Sequence, residues 1–130
     1  EAMTDPPIRA TFKRHERIND PKDFQRAFAR KRSASDTWMV VHGAENGLDH
    51  PRLGISISRK KFRKATARNR VKRLIREAFR LRKAELPQGL DLIVVPRGAT
   101  LTFAQAQDSL RTLARAVERR IGPRKVQATP

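Results

Sequence analysis

The densest chemistry in the chain is positive charge. Arg59, Lys60, Lys61, Arg63, Lys64, Arg68, Arg70, Lys72, Arg73, Arg76, Arg80, Arg82 and Lys83 stand within one stretch that holds a single acid, Glu77. Most of the chain's formal charge of +17 is therefore concentrated here. Within it Ala67, Val71, Leu74, Ile75 and Ala78 recur at helical spacing. They lay one apolar stripe along a helix and leave Arg68, Lys72, Arg73, Arg76 and Arg80 on its other faces. Like charges four residues apart repel by a few tenths of a kcal/mol per pair, so such a helix calls for a polyanionic partner. A stripe of Ala and Val lacks the Trp/Leu/Phe face that membrane insertion favours, which leaves nucleic acid ahead of a lipid surface. The preference for arginine suits bidentate phosphate contacts and stacking on bases. Asn69 either reads a base edge or 2′-hydroxyl, or satisfies backbone donors at the helix start.

Other chemistries lack their residues. The sequence has no cysteine, and His15, His42 and His50 stand in unrelated contexts without ligand spacing. It contains no nucleophile elbow, no Gly-rich phosphate loop and no carboxylate pair placed for two-metal nuclease work. Asp20 and Asp23 are accounted for by a helix start, and Asp91 stands alone at a strand start. The expectation is a binding protein with no catalytic side chains and no metal of its own. Its pI of about 11.7 makes the bulk partner anionic. No apolar run approaches the length of about eighteen residues that a membrane span needs, and no secretory signal is visible. A cytoplasmic location follows, with no membrane and no protein partner required.

The elements that must carry this face can be read in order. Glu1 and Ala2, ahead of Met3, read as a cloning scar. Residues 1–17 read as a flexible arm, 18–121 as one RNA-binding domain, and 122–130 as a disordered tail. Asp20, Pro21 and Asp23 predict a helix start. That helix runs to about Arg30 and presents Phe24, Ala27 and Phe28 on one side; core packing is the plainer role for either ring. Ser33–Asp36 reads as a loop. Thr37–His42 alternates as a strand, with Trp38, Val40 and His42 facing one way and Met39 and Val41 the other. Gly43–Pro51 is turn-rich. In Leu53–Ser58, Leu53, Ile55 and Ile57 point inward and Gly54, Ser56 and Ser58 leave space above the sheet. The basic helix spans about Lys64–Lys83. Leu90–Val95 is apolar on both faces, as a central strand should be. Thr102 and Gln105 form a capping box for a last helix with the stripe Phe103, Ala106, Leu110, Leu113, Ala114 and Val117, stopped at Gly122-Pro123. The order α-β-β-α-β-α predicts a single-domain α+β sandwich, with about three helices on a small mixed sheet. The strand–basic helix–strand unit suggests parallel neighbours.

At Ala65–Phe79 (ATARNRVKRLIREAF) the chain resembles the signature of the bacterial ribonuclease P protein component. The resemblance extends through Arg52–Ser58 and Asp23–Phe28 and covers roughly Arg17 to Arg119. It implies a left-handed strand–helix–strand crossover, against the usual rule. It also implies a function: binding a catalytic RNA subunit and assisting removal of the single-stranded 5′ leader from precursor tRNA. Hydrolysis would then be carried out by the RNA with Mg²⁺. The RNA-subunit contacts implied are Arg59, Lys60, Lys61, Arg68, Asn69, Arg70, Lys72, Arg73 and Arg76. The leader cleft implied is Phe24, Phe28, Val40 and His42, joined by Trp38. The chain departs from the family pattern at Arg63-Lys64, where Gly-Asn is common before the helix. It also departs at His42, where Tyr is common, and at Thr37 in place of Arg. A structural RNA-binding protein of ribosomal type is the alternative reading; a nucleoid-type DNA binder lacks helix-turn-helix spacing to support it.

Overall fold

The computed structural model describes residues 12–122. Helix α1, Pro21–Arg30, starts where local chemistry dictates: the Asp20 side chain accepts from the Lys22 amide at 2.9 Å, and Pro21 occupies the first turn. Lys31 ends it in the left-handed region (φ 55°), the one non-glycine with positive φ among the described residues. Four strands follow, β1 Ser33–Ser35, β2 Met39–Glu45, β3 Arg52–Ile55 and β4 Leu90–Pro96. They form one mixed sheet in the order β1-β2-β4-β3, with β3 and β4 parallel and the other pairs antiparallel. Helix α2, Ala65–Arg82, joins the parallel pair, and α3, Phe103–Ile121, closes the chain behind a Thr102/Gln105 capping box. The α+β architecture, the central β4 and the three helices are as the sequence predicts.

The two faces of the sheet have different cover. Met39, Val41, Leu53, Leu92 and Val94 bury their side chains against Val71, Ile75, Ala78 and Phe79 of α2 and Ala106, Leu110, Leu113, Ala114 and Val117 of α3. On the opposite face Ala44 and Ile93 pack with Ile18, Ala27 and the half-buried Phe24. Lateral register builds this second face in rows: His42, Ile93 and Gly54 lie side by side, as do Ala44, Asp91 and Arg52, and Val40 and Val95. Helix α1 sits on the first two rows. The row of Val40 and Val95 stays half-buried without a helix above it.

Four expectations are corrected. Ser33–Ser35 is an edge strand, not a loop. Its three residues carry no alternating signal; pairing with β2 is set by Asp36, whose side chain accepts from the Trp38 and Met39 amides at 2.8 and 3.1 Å. The strand predicted over Leu53–Ser58 stops at Ile55, although the Ser56 amide still donates to Val94 O at 2.9 Å. Asp91 is not alone, as shown below. Finally, Phe12–Arg17, read as the end of an arm, is packed. Phe12 meets Phe79 edge-on with centroids 5.3 Å apart, Glu16 is buried and accepts from Lys83 Nζ at 2.7 Å, and Arg17 bridges to Leu53. The physical reason is that β3 is an edge strand, and this segment covers its free backbone groups. The remainder of the arm and the tail beyond Gly122 lie outside the described residues.

Candidate nucleic-acid interface

The basic helix buries Val71, Ile75, Ala78 and Phe79, with Ala67 and Leu74 only half-buried. Phe79 belongs to the stripe because Phe12 closes over it, a contact invisible to local periodicity. The outer side is a groove of about 390 Å³ lined by Asn69, Lys72, Arg73, Arg76 and Arg80 from α2, with Glu77, and by Phe12 and Arg17. Asn69 is the fifth residue of α2, past the first turn, where backbone donors lack partners, so its exposed side chain belongs to the groove and not to a cap. Glu77 spends its charge on Arg80 at 2.7 Å, and that hydrogen bond holds Glu77 below the usual carboxylate range. Among the described residues no carboxylate pairs with Lys72, Arg73 or Arg76.

Arg68 and Arg70 differ from these. Arg68 Nη1 donates to Phe62 O at 2.8 Å and to Arg63 O at 3.0 Å; Arg70 donates to Ala99 O at 2.8 Å and to Leu101 O at 2.9 Å. Neither is buried, and neither is held by a carboxylate. Arg59, Lys60 and Lys61 are exposed in the turn before α2, anchored by the fully buried Phe62, which the sequence reading lost inside the basic run. Arg63-Lys64 requires no glycine turn: Lys64 enters the helix from extended backbone (φ −84°, ψ 132°).

The predicted cleft residues separate into two groups. Phe24 lies over Gly54 and Phe28 over His42, so α1 walls the open row of Val40 and Val95. Phe28 remains 37% exposed and touches His42 edge-on at 4.7 Å between centroids. Trp38 does not join them. It precedes β2, in the turn organised by Asp36, and packs against the larger core on the other side of the sheet.

Gly54 sets the seat of Phe24: an added Cβ would lie 2.8 Å from Phe24 Cζ and 3.2 Å from Ile18 Cβ. Gly54→Ala is therefore expected to cost about 1–3 kcal/mol of stability and to displace the Phe24 ring, read by urea unfolding and by Phe24 chemical shifts. His42 carries a pH signature. Burial lowers its pKa from the ordinary 6.5, and Nδ1 is buried without a partner. Below that ordinary value the unfolded chain binds the proton more readily than the folded one, so stability falls as pH drops from 6.5 toward the lowered pKa. Unfolding at about pH 7 and about pH 5 should show this loss, and His42→Gln should reduce it.

A second groove, of about 280 Å³, runs past Ile18, Phe24, Gly54 and Ile55 and shares Phe12, Arg17, Lys72 and Arg76 with the first. The basic helix face thus reaches the Phe24 edge of α1 through Arg17, Lys72 and Arg76. Beneath α1 the carboxylate of Asp91, fully buried, accepts from Arg52 at 2.8 and 2.6 Å, from Arg26 at 2.8 Å and from Asn46 at 3.0 Å. These contacts fix α1 to β3, β4 and the β2–β3 loop.

Fold and site together define a small α+β RNA-binding protein with a strongly cationic groove along α2 that adjoins a second groove beside Phe24 and Gly54. The ribonuclease P family model matches residues 12–118. The ribonuclease P protein component of Methylococcus capsulatus is 42% identical over 108 residues, 83% of this chain and 80% of that protein. The solved ribonuclease P protein of Thermotoga maritima superposes with a TM-score of 0.68 at 37% identity, over 77% of this chain and 96% of that one. That of Staphylococcus aureus gives 0.67 at 37% identity, over 77% and 93%. The chain belongs to the ribonuclease P protein component family, as the protein subunit of the ribonucleoprotein nuclease that matures tRNA 5′ ends. Its partner is accordingly an RNA subunit, and the enzyme it serves is metal-dependent. The ribosomal-type alternative falls with that membership. No helix among the described residues is long and apolar enough to cross a membrane.

Proposed function

We propose that the α2 groove docks on the RNA subunit while the cleft beside it holds the single-stranded 5′ leader of precursor tRNA. The RNA-subunit face comprises Asn69, Lys72, Arg73 and Arg76, with Arg59, Lys60 and Lys61 on the preceding turn and Arg68 and Arg70 at the helix start. The leader face comprises Phe24, Phe28, Val40 and His42. One observation supports the reading: Arg17, Lys72 and Arg76 line the α2 groove and also the groove beside Phe24 and Gly54, so the basic face reaches the Phe24 edge of the α1 cleft. Stacking on exposed rings such as Phe28 contributes about 1–3 kcal/mol per base and is largely indifferent to sequence, as processing of many leaders requires.

Hydrolysis falls to the RNA with Mg²⁺. The buried Asp91 carboxylate is already committed to two guanidinium groups. The assembly works in the cytoplasm, without membrane or protein partner, and its RNA-binding domain begins at about Phe12. Reconstitution with a bacterial ribonuclease P RNA at low Mg²⁺ tests the reading. Precursor-tRNA cleavage should rise on adding the protein, and more for substrates with a leader of several nucleotides than for those with one. Equal stimulation of both would remove the leader from the cleft.

A further inference from the structure

Two of the most prominent arginines of the basic helix have spent hydrogen-bonding capacity inside the protein. Arg70 lays its two terminal nitrogens across Ala99 O and Leu101 O, on the loop between β4 and α3. Arg68 places one nitrogen between Phe62 O and Arg63 O, on the loop that leads into α2. A guanidinium is a planar fork that can span two fixed acceptors, whereas an ammonium is a compact point charge on a flexible stem. Between their anchors both loops are exposed, at residues 97–100 and at Arg59, Lys60, Lys61, Arg63 and Lys64. The first is held at its ends by the Arg97 amide, which donates to Trp38 O at 2.9 Å, and by the fully buried Leu101. Phe62 anchors the second loop by its ring, and the Phe62 amide donates to Ser58 O at 2.9 Å. Its carbonyl and that of Arg63 depend on Arg68. Lys72, Arg73 and Arg76 show no such commitment and face the groove.

We infer that Arg68 and Arg70 are positioning residues, which hold the 59–64 and 97–101 loops on either side of the α2 N-terminus in the shape the RNA subunit meets. Neutralising phosphate falls to Lys72, Arg73, Arg76 and the cations of the 59–64 loop. The inference rests on the RNA-docking reading above, and the two fail in different ways.

The test compares Arg68→Lys, Arg70→Lys, Arg70→Ala and Arg73→Ala in the full chain, measuring backbone ¹⁵N order parameters of the RNA-free protein and affinity for ribonuclease P RNA across a salt series. In the parent, loop amides at 62–64 and 98–101 should approach the rigid value of about 0.85. Arg70→Lys and Arg70→Ala should lower 98–101 toward about 0.6, and Arg68→Lys should do the same for 62–64, while β4 and the unfolding midpoint stay as in the parent. Each should weaken RNA binding roughly tenfold. Arg70→Lys, which keeps the charge, should leave the salt slope intact. Arg73→Ala should make the slope shallower by about 0.7–0.9 without moving either loop. Weakened binding with both loops still rigid would make Arg68 and Arg70 ordinary phosphate contacts and overturn the inference. No loss of binding in Arg73→Ala and in a matching Arg76→Ala would instead remove the RNA face from α2, and the positioning role with it.

Discussion

Replacing Lys72, Arg73 and Arg76 together with alanine is expected to weaken binding to the RNA subunit by roughly three orders of magnitude or more while leaving the fold intact. Charge-assisted hydrogen bonds to phosphate are each worth about 1.5–3 kcal/mol, and three lost contacts should also flatten the salt dependence by about 0.7–0.9 log units each. The control lies in the free protein. Lys72 and Arg76 stand four residues from each other and from Arg68 and Arg80, so the native helix bears like-charge repulsion along this line. Alanine removes it and has the higher helix propensity. The unbound triple variant should therefore be as stable as the parent, or more so by up to about 1 kcal/mol. Affinity for the RNA at several salt concentrations and urea unfolding of the protein alone decide the matter. A variant that lost stability and affinity in parallel would show that these residues serve the fold and not the interface.

That opposition between stability and binding is why the helix was legible at all: thirteen basic residues against one acid make no sense as a solvated surface. Other elements were legible because their signals are local. Asp20-Pro21 fixes α1, Thr102 with Gln105 fixes α3, and the apolar run of β4 marks a strand covered on both faces. What stayed hidden depends on distant partners. Phe12 finds Phe79, Glu16 finds Lys83 across 67 positions, and Asp91 finds Arg52 and Arg26 across 39 and 65. Trp38 was assigned to the wrong face because period-two alternation was carried into a turn, where Asp36 redirects the backbone. In Arg68 and Arg70 the residue type gave the charge correctly, but only coordinates reveal that their donors are aimed at carbonyls.

Asp91→Ala is expected to destabilise the protein by about 3 kcal/mol and to weaken leader binding with it. Removing one partner of a buried ion pair costs about 3–5 kcal/mol, because the remaining charge is left without compensation. The lower end applies here, since the side chains left behind can regain water: Arg52 is 20% exposed and Arg26 is 42% exposed. The functional consequence follows from the rows of the sheet. Asp91 lies between Ala44 and Arg52, one row from His42, Ile93 and Gly54, on which Phe28 and Phe24 rest. Arg26 ties α1 to that carboxylate, so its loss frees the helix that walls the cleft. A variant combining Asp91→Leu, Arg52→Met and Arg26→Met separates the two effects. Apolar replacement of a buried ionic cluster is often neutral or stabilising, so stability should recover. The directional hold on α1 should not, and affinity for a single-stranded leader oligonucleotide should stay low while binding of the RNA subunit through α2 remains close to that of the parent. If leader affinity returned together with stability, the ionic cluster would be a source of stability alone, and the placement of Phe24 and Phe28 would be fixed by apolar packing of Ala27 and Ile93.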